Sequence, residues 1–456
     1  MKFKPQVQAL KELQESLAAK GINYVQIETP DLNGTLRGKL TSRSKALSEH
    51  GSAFCTILYG LSVRDDVYES RFSSFDNGFP DKFGIADPST VSILDEEQGV
   101  ASVICDIVDE KGDFYSLSPR SVLQRVIQSA ADLGFVARFA IELECYVVKV
   151  DRDLIEQGKI YDLPSFGRLN NAYSLARMQE LRPLAVRFMD KMHEMGIDIE
   201  AIHTELGYGM IEIAIGHLPA LQAADACSRV KLYLKEMLAS EGFVAVFMPK
   251  WRIDESGCGG HAHQSLWKNG KPVFAKSDGS FSEIGHHYIA GQLETLRDFS
   301  AIFYPTTNAY KRMDASSWAP ENVSWGIDNR TCALRVITKP APSAYRIEHR
   351  CPGADINAYL SIACMLGGGI LGIREKMQAT PAIIGNAGEL DDIETLPASL
   401  DEAVKIFGKS ARANDLLGSD FVEQFSISRE LECSLFNDWY KQKISDWELT
   451  RYFDIH

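Results

Sequence analysis

The chain has 456 residues, a formal net charge of −14 and a pI near 5.3. That acidity argues against the basic face a nucleic-acid footprint needs, while the length allows a large core and two or more domains. Nine cysteines, an odd number with no C-x-x-C pair and no zinc spacing, point to reduced thiols in a cytoplasm and not to a disulfide framework.

Leu10, Leu13 and Leu17 fall at helical spacing among Gln and Glu, so the N-terminus reads as an amphipathic helix stopped by Gly21, not as a signal peptide. Ile22 to Thr29 alternates like a strand and breaks at Pro30-Asp31-Leu32-Asn33-Gly34, a turn with a glycine available for a left-handed position. Ala101 to Val108 is a further strand. Ser118-Pro119 opens a helix to about Leu133, with Ser as cap and Pro at the first helical position. A boundary is expected near Lys111 to Ser116, dividing an N-terminal domain (1–112) from a larger one (113–456). Beyond it, strands with acidic motifs alternate with long helices over Leu175 to Met195 and Gln222 to Ala239. The long apolar run from Ala358 to Ile373 holds four glycines. It is shorter than the ~20 residues a bilayer span needs, so a buried helix and no membrane partner are expected.

The chemistry-bearing residues lie in separate pieces. Val136 to Val150 reads as a strand, and its alternation projects Glu142 and Glu144 from one side. Two carboxylates that close repel unless a cation sits between them. A solvated strand face is the other reading, although Ala140, Tyr146 and Val148 make that side half-apolar. Glu205 and Glu212 have opposite strand parity, and Gly207 and Gly209 supply the break or bulge that lets both turn inward, unless the segment is a surface loop. His261 and His263 share a strand face after the turn Ser256-Gly257-Cys258-Gly259-Gly260; such a pair is either structural or metal-binding. On a strand from Ser343, Arg346, Glu348 and Arg350 form a basic-acidic-basic row. This is either a salt ladder or a metal-bound carboxylate flanked by guanidinium groups that grip anions bidentately. Arg312, Arg330 and Arg335 add to the second reading. Together the acids and histidines could ligate two hard divalent cations beside phosphate-holding arginines, as phosphoryl transfer requires.

The order of these pieces, with Asn308-Ala-Tyr-Lys-Arg312 and Asn329-Arg330 between the histidines and Arg346, resembles the glutamine synthetase family. The likeness runs from the turn at Asp31 to the C-terminal segment. It implies an α+β fold, with an N-terminal β-grasp domain and a catalytic domain whose antiparallel strands make a funnel. It also implies a homo-oligomer, a dodecamer of two hexameric rings with active sites between neighbours. ATP, L-glutamate and a nitrogen nucleophile would be the substrates, with two Mg²⁺ or Mn²⁺ per site. Position by position, the resemblance makes Glu144, Glu205 and Glu212 ligands of one cation and Glu142, His261 and Glu348 ligands of the other. Gly257, His261, Arg312 and Arg350 would hold glutamate. Glu200, His263, Ser265, Arg335 and Arg346 would face ATP, Arg330 the transferring phosphoryl group. Asp31, donated by a neighbour, would help bind the ammonium nucleophile.

Three departures qualify the likeness. Glutamine synthetases carry a proton-accepting glutamate in a flap just after Tyr-Lys-Arg, whereas here Met313 to Pro320 puts Trp318 at that position. Ser256 replaces a glutamate-binding Asn, and the Glu205 to Glu212 segment lacks the usual Pro-Gly-Gln. The Trp-Ala-Pro flap is similar to the branch that joins glutamate to organic amines, giving γ-glutamyl polyamines, alkylamides or anilides. Alternatively, Trp318 packs while Asp314 or another acid is the base, leaving ordinary glutamine synthesis, or the chain is a catalytically silent family member. Glutamine synthetases controlled by adenylylation carry a tyrosine before the C-terminal helices, and Gly388 to Glu394 has none. Control by that route is expected to be absent, and an AMP adduct on this loop in intact-mass spectra would overturn the expectation.

Overall fold

The computed structural model describes residues 2–4, 6–167, 170–313 and 318–454; Asp314 therefore lies outside the described residues. The first helix, Val7–Ala19, buries Leu10 and Leu17 and ends at Gly21, whose φ of +74° needs a residue without a Cβ. Six strands follow: β1 Tyr24–Pro30, β2 Leu36–Ser42, β3 Ser52–Cys55, β4 Asp81–Ala86, β5 Ser92–Asp95 and β6 Val100–Val108. They form a mixed sheet in the order β2-β1-β6-β4-β3, with β5 also on β6. The central β1–β6 pair is parallel and the others antiparallel. Every residue of β6 after Val100 is buried, which is why it reads as a nearly continuous apolar run.

The second sheet contains β7 Val136–Lys149, β8 Ile199–Thr204, β9 Met210–Ile215, β10 Leu218–Pro219, β11 Phe243–Val246, β12 Gly260–Lys268, β13 Lys271–Pro272, β14 Trp325–Ile327, β15 Leu334–Ile337 and β16 Arg346–His349. Its order is β14-β15-β16-β12-β7-β9-β8, with β10 and β11 also on β7 and β13 on β12. Among the described residues, β14–β15 is the one parallel pair of this sheet. Along β7 the predicted alternation holds: Phe139, Ile141, Leu143 and Cys145 are buried on one face, leaving Ala140, Glu142 and Glu144 to the other. Helices Pro119–Asp132 and Ala220–Ser240 pack on β7, and helix Ala358–Glu375 packs on both and on Glu283–Thr295.

The glycines of the apolar run explain that last contact. A Cβ at Gly291 would lie 2.1 Å from the Gly368 carbonyl, and one at Gly372 would lie 2.0 Å from the His287 carbonyl. The two helices therefore touch backbone to backbone. The run is a buried seam, and among the described residues no helix is long and apolar enough to cross a membrane.

Buried ion pairs fasten the first sheet to the helix Ala220–Ser240. Arg120 reaches Asp225 at 3.0 Å, Asp87 at 2.8 Å and also Asp106, while Arg229 reaches Glu28 at 3.0 Å. Such charges are tolerated in the interior because each has its partner in place.

Candidate active site and metal clusters

The open face of the second sheet collects the acids and histidines in register. His261 on β12 sits opposite Glu142 on β7, His263 opposite Glu348 on β16, and Glu348 opposite Arg335 on β15. Glu144 faces Glu212 on β9, which in turn faces His203 on β8. Side chains directly opposite on one face stand close enough to share a ligand. Two trios result, Glu142–His261–Glu348 and His203–Glu205–Glu212, each with donor atoms within 4.8 Å of one another.

In the first trio His261 Nδ1 lies 3.7 Å from Glu348 and 3.9 Å from Glu142. His263 Nε2 lies 3.0 Å from Glu142. Glu348 is almost wholly buried between Arg350, at 2.5 Å, and Arg335, at 3.0 Å. Burial alone would raise its pKa, but Arg350, His263, His261 and Arg335 outweigh it and hold the carboxyl well below its usual range. His261 is pushed well below the usual imidazole range by burial and by Arg350, which favours the neutral form that binds metals. Arg312 Nη2 is 3.2 Å from His261 Nε2 and its Nη1 donates to the Cys351 carbonyl at 3.0 Å. Gly257 and Gly259 leave the room: a Cβ on the first would lie 2.7 Å from Arg312 and on the second 2.6 Å from His261.

In the second trio, Glu205 and Glu212 are brought together by a hairpin, not by a bulged strand. β8 ends at Thr204, Gly209 turns with φ +79°, and β9 returns Glu212 opposite His203. His203 was not among the residues singled out from sequence. Its Nδ1 lies 3.5 Å from Glu205 and its Nε2 3.3 Å from Glu212. Burial disfavours its charge, but Glu212 and Glu205 prevail and the imidazole pKa is raised. Tyr173, also unanticipated, stacks on His203 with ring centroids 4.5 Å apart and holds φ +54°. Glu144 is drawn aside from the trio, its Oε2 accepting from Gly259 N–H. Desolvation pushes its carboxyl up to about 7, with Glu212 and Glu205 adding to the effect.

Beside the first trio opens a cleft of about 400 Å³, lined by Glu142, Glu200, His263, Ser265 and Arg346 with Trp267. Arg335, expected with this group, instead pairs with Glu348 and Asp328. Ser265 accepts from Trp267 Nε1 at 3.0 Å, and Arg138 covers the indole 6.0 Å from its centroid. Arg346 Nε donates to His263 Nδ1 at 3.2 Å; its strand begins at Arg346, because Pro342–Ala344 forms a 3₁₀ turn.

The remaining predicted residues sit further out. Arg330 is exposed, with its carbonyl accepting from Arg350 Nε at 3.0 Å. Trp318 is 58% exposed at φ +63° and shares a small hollow with Thr331 and Asn386. Asp31 is buried within its own turn: Oδ1 accepts from Asn33 and Thr35 N–H and Oδ2 from Arg37 Nε, each at 2.9 Å. None of these contacts connects it to the trios of the same chain.

Residues 116–452 match the model of the glutamine synthetase catalytic domain. The chain belongs to the glutamine synthetase family. Within this family it is 35% identical to a glutamate–isopropylamine ligase of a Pseudomonas species, over 97% of this chain and 98% of that one. It is 34% identical to type-1 glutamine synthetase 2 of Dictyostelium discoideum, over 95% of this chain and 84% of that one. It is 32% identical to a γ-glutamylethanolamide synthetase of Streptomyces coelicolor, over 98% and 96%. Its fold superposes on the solved structure of GmaS with ADP at a TM-score of 0.83 and 22% identity, covering 97% and 99% of the two chains. Enzymes of the family use ATP and divalent metals, and the two trios fit such ions: each converges carboxylate oxygens with an imidazole on one point.

Proposed function

We propose that the protein joins the γ-carboxylate of L-glutamate to a primary amine in an ATP-dependent ligation through γ-glutamyl phosphate, releasing ADP and phosphate. The observation that carries the amine is Trp318, an exposed indole where the family's glutamine synthetases carry a proton-accepting glutamate. The curated relatives named for isopropylamine and ethanolamine products support the same reading.

Mg²⁺ or Mn²⁺ ions at the two trios would neutralise the phosphates and the attacked carboxylate. Glu142, His261 and Glu348 would hold one; Glu205 and Glu212 the other, with His203 or Glu144 completing the set. The chain's own residues do the positioning. Arg312, Arg350 and Gly257 receive glutamate beside His261. His263, Ser265, Arg346 and Glu200 line the cleft for ATP, where Trp267 offers a face to the base. Arg330, at the rim, meets the transferring phosphoryl group. An alkylammonium with pKa ~10.4 costs roughly 4–5 kcal/mol to deprotonate at pH 7, so it needs an acceptor. Asp31 could serve only in a neighbouring subunit's site, and would have to exchange its bond to Arg37.

That arrangement calls for a homo-oligomer, and we propose the two-ring dodecamer. Support comes from the C-terminal helices, where Trp439, Ile444, Trp447 and Phe453 are each at least half exposed on one chain. Domains over 1–112 and 113–456 agree with the separation into two sheets. A cytoplasmic location agrees with nine unpaired thiols.

The test measures ADP release and amide formation with ammonia, methylamine, isopropylamine, ethanolamine, putrescine, spermidine and aniline. One amine should exceed ammonia. Ammonia as the best nucleophile would return the protein to glutamine synthesis, and no ATP turnover with any of them would mark a silent member.

A further inference from the structure

Tyr146 follows Glu144 by two residues on β7 and is wholly buried. Its ring stands between the two halves of the active site. On one side lies Gly207, in the hairpin that joins Glu205 to Glu212: a Cβ there would stand 2.5 Å from the Tyr146 hydroxyl oxygen and 2.9 Å from its ring. Gly207 does not take a left-handed φ, so the close ring, and not the backbone, calls for glycine. On the other side lies the turn before His261, where the Tyr146 hydroxyl donates to the Ser256 carbonyl at 2.8 Å. Burial pushes the phenol pKa up, so the proton that makes this bond stays in place. The Ser256–Gly257 peptide is trans, so the Ser256 carbonyl and the Gly257 N–H point to opposite sides of the chain. Tyr146 takes the carbonyl. Further along the turn the N–H groups of Cys258, Gly259 and Gly260 are committed to Pro249, Glu144 and Pro352. The N–H of the half-buried Gly257 donates to no oxygen among the described residues, and a Cβ on that glycine would stand 2.7 Å from Arg312.

Resting on the ligase reading, in which Gly257 and Arg312 receive glutamate, we propose that Tyr146 is a positioning residue for that substrate: its hydroxyl fixes the Ser256–Gly257 peptide so that the Gly257 N–H is presented to a glutamate carboxylate beside Arg312. Glycine at 257 leaves this peptide free to turn over unless something holds it. With the hydroxyl gone, a turned peptide sets the Ser256 carbonyl oxygen against the carboxylate where the N–H had been, and glutamate meets a repelling dipole. The hydroxyl does not line the ATP cleft. Its loss therefore weakens glutamate in ground state and transition state alike, which raises the KM for glutamate and spares kcat. Because the ring also fills the space above Gly207, a methyl group at 207 pushes the hydroxyl off Ser256 from the side of the second trio and disturbs the same peptide.

The experiment titrates L-glutamate into the assembled enzyme by calorimetry in the presence of ADP and Mg²⁺, and measures steady-state turnover with the best amine, for the wild type, Tyr146→Phe, Gly207→Ala and the double variant. Tyr146→Phe keeps the ring and its packing, so its melting curve should stay close to that of the wild type. Its Kd and KM for glutamate should rise ~10-fold, while kcat and the KM for ATP stay within about 2-fold. Gly207→Ala should raise the same KM, and the double variant should exceed the larger single effect by no more than about 2-fold, since both changes break one bond. A wild type that binds no glutamate would overturn the ligase reading itself. Wild-type binding that Tyr146→Phe leaves unchanged, a KM for ATP that rises as much as that for glutamate, or fully additive effects in the double variant would each overturn the role of Tyr146 and leave the ligase reading standing.

Discussion

Glu348→Ala is expected to remove amide synthesis and to lower the unfolding temperature, whereas Glu142→Ala should remove synthesis and leave unfolding nearly unchanged. Both carboxylates belong to the same trio, yet their surroundings differ. Glu348 is 1% exposed and separates the guanidinium groups of Arg350 and Arg335. Its loss strands buried positive charge, which costs about 3–5 kcal/mol when one partner of a buried pair is deleted. Arg335 can fall back on Asp328, so the lower end of that range is expected. The Glu142 side chain is 29% exposed and, among the described residues, its ion pairs are with the two histidines, so water compensates for its removal. In both variants turnover should fall by at least about 10²-fold, the scale seen when one electrostatic stabiliser of a transition state is removed. Steady-state ADP release with thermal unfolding of each variant checks this. Full activity of the wild type in excess chelator, or of Glu142→Ala without it, would remove the trio from the chemistry.

Strand alternation was enough to place Glu142 and Glu144 on one face, because a strand buried on one side only has a strict period of two. The same parity pairs His203 with Glu205, two residues apart, and an H-x-E reading of that segment would have found the imidazole. Gly207 and Gly209 marked a break or a bulge between Glu205 and Glu212, but which of the two was not readable, since a bulge and a chain reversal both call for glycine at Gly209. Tyr173 left no local signal. Its left-handed backbone and its stacking on His203 are imposed by the chain around Thr204, whose carbonyl accepts the Tyr173 N–H at 2.8 Å. The turn at Asp31 was legible, but the use of its carboxylate was not, because that depends on where Arg37 lands one strand later. The apolar run at Ala358 was legible as a buried helix; its glycines gained a meaning only from the facing helix at Gly291.

Trp318→Glu is expected to move the enzyme toward ammonia. The indole is exposed at a left-handed backbone position, close after the Tyr310-Lys-Arg312 segment that brings Arg312 to His261. A non-glycine residue at φ +63° is held there by its surroundings, so the side chain's direction is set by the backbone and not by its own packing. On the proposed reading, an indole at that point would remove a negative charge that guides ammonium and would offer an apolar wall to an amine's carbon skeleton. The wild type should therefore favour its best primary amine over ammonia by at least ~10-fold in kcat/KM, only about 1.4 kcal/mol of transition-state free energy. A carboxylate at position 318 should narrow or reverse that ratio, through a lower kcat/KM for the amine and a higher one for ammonia. Trp318→Phe, which keeps an apolar face, should retain most of the preference. Competition assays with both nucleophiles in one reaction read the ratio directly. If Trp318→Glu leaves it unchanged while Trp318→Phe lowers thermal stability, the indole is a packing residue and the choice of nucleophile is made elsewhere in the site.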